Sequence, residues 1–297
     1  MKLDRLAIGI ASFCLLATSL SAQSAHNWVS TTGNDTTGTG TTARPYATFQ
    51  TAASNTAAGG IISVMGPGDY GAVTIGNSLT IDGTGGGSIA FNGGEGIYVT
   101  APATATVVLR NLTIDGVGVG SDAIFGETFL NLVIDGCRLE GFTDIGVGIG
   151  STSAQNVAIH NTTIVGGVLG FRVFQGVGPD KVSLDHVTIQ GVGGTETAAV
   201  FTRSGVLDIS DSVITQSGIG LEADTNATIK VERTIVSANT DGICVFPGSS
   251  ALLNNTDLFD NTTNIEACGG TVTGSANSAG PPAKATPAVI APMGEKR

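Results

Sequence analysis

The sequence predicts an all-β fold, a solenoid of stacked short strands, and three observations support this prediction. Two aliphatic residues five positions apart recur every 22 to 25 residues along the chain. A glycine-rich turn and a third short apolar stretch follow each copy. The composition agrees, because the 297 residues include 44 glycines and only 12% charged residues. A helical chain of this length is normally richer in Lys, Glu and Leu.

The repeat is clearest in the segments "VVLRNLTIDG", "LVIDGCRLEG", "VAIHNTTIVG" and "VSLDHVTIQG". The first aliphatic positions are Leu109, Ile134, Ile159, Leu184, Ile209, Val231 and Leu253, and the second are Ile114, Leu139, Ile164, Ile189, Ile214, Val236 and Leu258. One copy cannot bury its own aliphatic side chains, so neighbouring copies must cover them. With two less regular copies, near 61–75 and 78–91, the repeat predicts about nine coils of three strands each. Successive coils should stack about 4.8 Å apart.

Four segments follow from this pattern. Residues 1–22 have the charged start, short apolar run and small-residue cleavage site of a signal peptide, with cleavage near Ala22. Residues 23–58 form an N-terminal loop and a short capping helix, roughly Tyr46–Ala53, in which Pro45 marks the helix start. Residues 59–276 form the solenoid, and 277–297 form a Pro-rich disordered tail. The mature protein should be secreted or periplasmic.

Charge and cysteine content restrict the partners. The formal net charge is −11, which argues against nucleic acid, and the apolar run of the first segment is short for membrane insertion. Cys137, Cys244 and Cys268 remain after cleavage, and export would permit a disulfide between Cys244 and Cys268. No Cys-x-x-Cys spacing exists, so we expect no metal site and no cofactor. The state of Cys137 and the oligomeric state stay open.

A polar column lies one residue beyond each first aliphatic position, where strand alternation places it outside. It contains Arg110, Asp135, His160, Asp185, Ser210, Glu232 and Asn254. Opposite charges alternate along it, which favours a solvated face whose charges help neighbouring strands to pair. The alternative is a track for a glycan or an ion, in which Arg110, Asp135, His160, Asp185 and Glu232 are the binding candidates.

The segments "WVSTTGNDTTGTGTTARPYATFQTAA" and "PGDYGAVTIGNSLTIDG", followed by Ile-x-Asn-x-x-Ile coils, resemble exported bacterial right-handed parallel β-helix repeat proteins. This is the pectin-lyase-like superfamily, and the resemblance covers about residues 27 to 276. It implies a single-stranded right-handed parallel β-helix, with the handedness also expected from crossover rules. The superfamily includes lyases, hydrolases and adhesins, so the resemblance does not define an activity.

Two columns resemble the asparagine ladder of such proteins, in which stacked side-chain amides satisfy backbone groups at a turn. One comprises Asn111, Asn161, His186, Asp211 and Asn255, and the other comprises Asn239 and Asn261. The run Asn239–Gly242 also resembles the first catalytic motif of polygalacturonases. The next coil, however, has Thr262 and Thr263 where those enzymes have a second acidic pair. We therefore interpret Asp241 as a turn residue.

The catalytic candidates are Asp185, Arg172 and Arg203. "VSLDH" resembles a Val-Trp-Ile-Asp-His run of pectate lyases, which implies calcium as a cofactor if the chain is a lyase. The two arginines could bind uronate carboxylates. Tyr70, Tyr98, Phe171 and Phe246 are candidates for stacking on sugars.

No complete catalytic set is present, so the sequence leaves open whether the protein is an enzyme. The preferred hypothesis is non-catalytic binding of extracellular or cell-wall polysaccharide, or another surface-interaction role. One alternative is a polysaccharide lyase or glycoside hydrolase acting on an acidic glycan. The other is a passive structural scaffold.

Overall fold

The structure is a computed structural model, and it describes residues 23–150, 155–174, 181–193, 198–266 and 268–277. The predicted signal peptide lies outside the described residues, as does the predicted tail apart from Asn277. The chain forms strands almost throughout the described part. In chain order the elements are β1 (Ser24–Val29), α1 (Phe49–Ser54), β2 (Thr56–Val64), β3 (Gly68–Asp69), β4 (Val73–Ile75), β5 (Leu79–Asp82), β6 (Gly87–Ala90), β7 (Glu95–Thr100), β8 (Thr106–Arg110), β9 (Thr113–Asp115), β10 (Asp122–Thr128), β11 (Asn131–Asp135), β12 (Arg138–Glu140), β13 (Ile145–Ile149), β14 (Asn156–His160), β15 (Thr163–Val165), β16 (Leu169–Val173), β17 (Lys181–Asp185), β18 (Thr188–Gln190), β19 (Ala198–Thr202), β20 (Val206–Ser210), β21 (Val213–Thr215), β22 (Ile219–Ala223), β23 (Thr228–Glu232), β24 (Ile235–Ser237), β25 (Asp241–Val245), β26 (Ser250–Phe259), β27 (Thr263–Glu266) and β28 (Thr271–Asn277).

The strands stack into three parallel sheets. The first sheet has the order β1-β2-β5-β8-β11-β14-β17-β20-β23-β26-β28, and the second has the order β3-β6-β9-β12-β15-β18-β21-β24-β26. The long strand β26 belongs to both. The third sheet has nine strands, in the order β4-β7-β10-β13-β16-β19-β22-β25-β27. Each turn of the chain contributes one strand to each sheet, which confirms the predicted all-β parallel β-helix. Its right-handed sense stays a prediction.

The predicted register is confirmed in the first sheet. Ile134 of β11 pairs with Leu109 of β8 on one side and with Ile159 of β14 on the other. All three side chains are fully buried. Aliphatic side chains of successive turns therefore stack inside the solenoid, and each buried one stabilises the fold by about 1.5–3 kcal/mol. Because each turn relies on its neighbours, this stacking is the main source of stability.

The N-terminal end of the solenoid is covered by α1. The helix begins at Phe49 and not at Tyr46, because Thr48 is its N-cap and accepts a hydrogen bond from the Thr51 N–H. Phe49 and Ala53 are buried, as expected of a cap. The Tyr46 backbone instead forms a bridge with Val29. Pro45 thus precedes the helix by several residues and does not start it.

The segment predicted as loop also contains a strand. β1 pairs in parallel with β2, and Val29 is fully buried in the core. The sequence did not show this strand because "SAHNWV" contains only one of the two aliphatic residues of the repeat. The first sheet therefore extends one strand beyond the complete turns.

Candidate functional site

The outer column of the first sheet is assembled as the sequence predicted. Asp135 lies between Arg110 and His160 on neighbouring strands, and His160 lies next to Asp185. Its members from Arg110 to Glu232 are half-buried and Asn254 is exposed. The Ser210 hydroxyl donates to Asp185 Oδ1 over 2.7 Å, so groups on neighbouring strands satisfy one another. Hydrogen bonds from Ser210 and His186 lower the pKa of Asp185 below its ordinary value.

The next column lies at a tight turn, and it does not form the asparagine ladder that the sequence predicted. Its backbone is left-handed throughout, at Asn111, Gly136, Asn161, His186, Asp211, Arg233 and Asn255. The side-chain amides of Asn111 and Asn161 are exposed and donate to Thr84 Oγ1 and Asp135 Oδ1. They bond side chains and not the backbone. These residues are used here because Asn, Asp and Gly tolerate positive φ well.

Buried hydroxyl groups one residue further along satisfy the backbone at this turn. Thr162 Oγ1 accepts from the Cys137 N–H, Ser212 Oγ accepts from the Val187 N–H, and both oxygens belong to the following turn of the solenoid. Thr234 does the same for the Ser212 N–H. Sequence reasoning missed this column. Thr and Ser at equivalent positions of "NTTI", "DSVI" and "RTIV" are the signal that could have identified it.

An internal asparagine ladder does occur at the other predicted position. Asn239 is 3% exposed, and its Oδ1 accepts from the Ser217 N–H while its Nδ2 donates to the Ile214 carbonyl. Asn261 repeats the pattern one turn later, donating to the Val236 carbonyl and accepting from Asn239. Asp241 begins β25, so it is a strand residue and not a turn residue. Its neighbours across the sheet are Ile219 and Thr263, neither of them a carboxylate.

The outer face of the third sheet has a different character, because aromatic rings cover part of it. Tyr98 and Phe125 stack with their ring centres 6.1 Å apart, and Phe125 meets the edge of Phe174 at 5.9 Å. Phe125 lies over Gly148 and Gly150, where an added Cβ would approach its ring to 2.9 and 2.7 Å. Glycine at these two positions leaves room for the ring. The rings therefore form a continuous floor across several turns.

Two arginines extend this floor. The Arg172 guanidinium lies 3.9 Å from the centre of the Phe174 ring, and Arg203 lies 5.1 Å from the centre of the Phe201 ring. Arg172 is also 5.4 Å from Phe201, which links the two. A cation held over an aromatic face is stabilised by the ring's quadrupole. The structure thus brings together Arg172 and Arg203, both singled out from the sequence.

Acidic groups complete the cluster. Glu222 of β22 pairs with Phe201 of the neighbouring strand β19. Asp224 Oδ2 lies 3.5 Å from Arg203 Nε. Burial, and then repulsion from Asp224, raises the pKa of Glu222. Burial, and then repulsion from Arg203, lowers the pKa of Arg172. We call this set the third-sheet face; it consists of Tyr98, Phe125, Arg172, Phe174, Phe201, Arg203, Glu222 and Asp224.

The other predicted residues lie elsewhere. Asp185 is on the first sheet, so it does not share a site with Arg172 and Arg203, and the three do not form one catalytic set. Tyr70 and Phe171 are almost fully buried and cannot stack on a sugar. Sequence reasoning missed Phe125, Phe174, Phe201, Glu222 and Asp224. Their signal is weak, because each appears once and the repeat does not mark it.

A disulfide lies beside the third-sheet face, and one further cysteine is free. Cys244 follows Glu222 across the sheet and forms a disulfide with Cys268, the pair considered from the sequence. Cys137 is free and buried, and burial raises the pKa of its thiol to about 11. A thiol of this kind is unreactive at neutral pH.

Among the described residues, no helix is long and apolar enough to span a membrane.

Comparison with known proteins does not identify a family for this chain. No protein family matches the sequence, and no curated protein is recognisably related to it. Among solved structures, the chain is similar to the A-module of mannuronan C-5 epimerase AlgE6 from Azotobacter vinelandii, with 15% identity and a TM-score of 0.39. The match covers 74% of this chain and 79% of that one. A likeness this weak carries no argument. The strand pairing by itself defines the class, which is a parallel β-helix protein.

Proposed function

We propose that this protein is exported and binds an acidic extracellular polysaccharide on the third-sheet face without chemically altering it. The observation that carries the proposal is the position of Arg172. Its guanidinium is half-buried on an aromatic ring, and within the described part of the chain no carboxylate lies within 4.0 Å of it. The carboxylates of Asp144, Asp122 and Glu222 attract it only from beyond that distance, and partial removal of a cation from water without a contacting counter-ion is costly. A carboxylate on a bound ligand would supply that counter-ion.

The aromatic floor suits a sugar polymer. Sugar rings have apolar faces that pack on flat aromatic side chains, while specificity comes from a few polar groups at the edges. The third-sheet face offers both, since Tyr98 and Phe125 are next to one another and Arg172 lies one turn beyond Gly148. A small apolar cluster around Phe201, separate from the solenoid core, supports this part of the face. A chain-like ligand could therefore contact several turns at once.

The charges on the face restrict the ligand. Arg172 and Arg203 favour a carboxylate at one position, while Glu222 and Asp224 disfavour a second carboxylate beside it. The negative charge of the whole protein has the same effect over longer distances. We therefore expect a polymer with spaced carboxylates, such as partly esterified pectin, to bind more tightly than fully ionised polygalacturonate.

A binding screen tests this function. Purified protein is titrated with pectin, polygalacturonate, alginate and a neutral glucan, with and without calcium, and the products are analysed. We expect binding to an acidic glycan that weakens as salt rises, because salt screens exposed charges, and no release of shortened or unsaturated sugars. Binding to none of the acidic glycans would refute the proposal and favour a passive scaffold.

A second candidate function, cleavage of an acidic glycan, is favoured by Glu222. This carboxyl is half-buried beside Asp224 and two arginines, and its raised pKa suits a general acid. The same screen separates the two functions, because release of new sugar ends would show turnover. In that case Glu222→Gln should abolish product release without weakening glycan binding, since the shape is retained and a group that repels carboxylates is removed. Product release that persists in Glu222→Gln would exclude Glu222 as the acid.

A further inference from the structure

The turn between the first and second sheets brings together side chains that the sequence keeps 26 residues apart. His186 and Asp211 occupy equivalent turn positions on neighbouring turns of the solenoid, and Asp185 precedes His186. One ligand atom from each of Asp185, His186 and Asp211 lies within 4.8 Å of the others. His186 Nδ1 is 3.1 Å from Asp185 Oδ2, and His160 Nδ1 on the preceding turn is 3.8 Å from the same oxygen. Two of the three histidines of the chain therefore meet at one carboxylate.

We propose that Asp185, His186 and Asp211, with His160 as a fourth ligand, bind a divalent transition-metal ion of the zinc class. The spacing fits, because ligand atoms around one tetrahedral zinc ion lie about 3.3 Å apart. The ligand atoms of Asp185, His186 and Asp211 lie within 4.8 Å of one another, so they must approach by up to about 1.5 Å. The His186 and His160 side chains are 60% and 36% exposed, which leaves them room to reorient toward an ion. The backbone that carries them is held by the parallel pairing of β14, β17 and β20.

The donor set selects the class of metal. Imidazole nitrogen combined with carboxylate oxygen suits zinc and its neighbours, whereas calcium and magnesium prefer oxygen alone. The charge is also suitable, because the carboxylates of Asp185 and Asp211 supply two negative charges to a divalent cation. One nearby cation opposes binding, since the Arg233 guanidinium donates to both oxygens of Asp211 at 2.8 and 2.7 Å. The second lone pair of each oxygen remains available to a metal.

Calorimetric titration of the metal-free protein with zinc chloride tests this site. We expect one zinc ion per chain, with little heat from calcium chloride under the same conditions. His186→Ala and Asp185→Asn should each weaken zinc binding by about tenfold or more. Arg233→Gln should strengthen it, because the competing cation is removed. The matched control is His26→Ala, which removes the remaining histidine near the N-terminus, where it bonds Ser63, and should leave zinc affinity unchanged.

Three results would overturn the proposal. They are the absence of zinc binding to the unaltered protein, unchanged zinc affinity in His186→Ala, and tighter binding of calcium than of zinc. Thermal unfolding of each variant without metal shows whether it remains folded. Cobalt supplies an independent readout for any variant of reduced stability, because its visible absorption reports nitrogen and oxygen ligands directly. The cobalt band should be lost in His186→Ala and retained in His26→Ala.

Discussion

The first and third sheets belong to the same repeat but have different outer faces. On the first sheet, Arg110 lies between Asp82 and Asp135 at the paired positions of the neighbouring strands, although its buried Nε has no hydrogen-bond partner. On the third sheet, Arg172 lies between Gly148 and Phe201. The same residue type thus has acidic residues at the paired positions on both neighbouring strands of one face, and has none at those positions on the other face. Regular repetition places opposite charges on neighbouring strands of the first sheet. Departures from the repeat bring the arginines and aromatic rings of the third-sheet face together.

The largest loss of stability is expected from a substitution in the stacked interior, on which both faces depend. Ile159→Asp should cost more than about 4 kcal/mol in free energy of unfolding, because it places an unpaired charge among the buried aliphatic residues. Urea unfolding followed by circular dichroism measures it. The matched control is the next residue on the outside, His160→Ala, which should change stability by no more than about 0.5 kcal/mol in metal-free buffer. A loss of folding in His160→Ala would contradict the outward position of that column.

A smaller effect should separate the two kinds of asparagine. Asn239→Ala should cost about 1–3 kcal/mol, because it leaves the buried Ser217 N–H and Ile214 carbonyl without partners. Asn161→Gly should cost no more than about 0.5 kcal/mol, because the Asn161 side chain makes only a solvent-exposed hydrogen bond to Asp135 and Gly136 already occupies the equivalent position. Denaturant midpoints compare the two. Equal losses would mean that the exposed column also holds the turn together.

The smallest effect on stability concerns the aromatic floor. Gly148→Ala should cost about 1 kcal/mol and weaken glycan binding, because its Cβ would displace the Phe125 ring. The matched control is Gly76→Ala, directly after strand β4 of the same sheet. An added Cβ there meets no atom within 4 Å, so neither stability nor glycan binding should change. Thermal melting and glycan titration of the pair measure both. Unaltered glycan affinity in Gly148→Ala would show that the ring does not contribute to binding.

The fold could be predicted because regularly spaced aliphatic residues determine which positions of neighbouring strands pair. The spacing of Leu109, Ile134 and Ile159 corresponds directly to the strand pairing of the first sheet. The strand β1 and the start of α1 could not be predicted in this way. They belong to the end of the solenoid, where cap hydrogen bonds such as that of Thr48 replace the repeat.

The candidate sites could be predicted only in part. Arg172 and Arg203 were visible as isolated cations, but their aromatic and acidic neighbours depend on the alignment of the third sheet. That alignment is irregular, since Phe171 pairs with Val200 whereas Val200 pairs with Leu221, a much shorter step along the chain. The metal ligands were hidden for another reason. The Cys-x-x-Cys spacing typical of zinc sites is absent from the sequence, whereas the stacking of turns brings His186 and Asp211 together.

We propose that the third-sheet face, and not the outer face of the first sheet, binds the acidic glycan. The most direct measurement compares the glycan affinities of Arg172→Gln and Arg110→Gln by calorimetry, using the acidic glycan that the unaltered protein binds. We expect Arg172→Gln to weaken binding by about tenfold or more, the value of a charged hydrogen bond, and Arg110→Gln to leave it within about twofold. A larger loss in Arg110→Gln than in Arg172→Gln would contradict the claim and place the glycan on the first sheet.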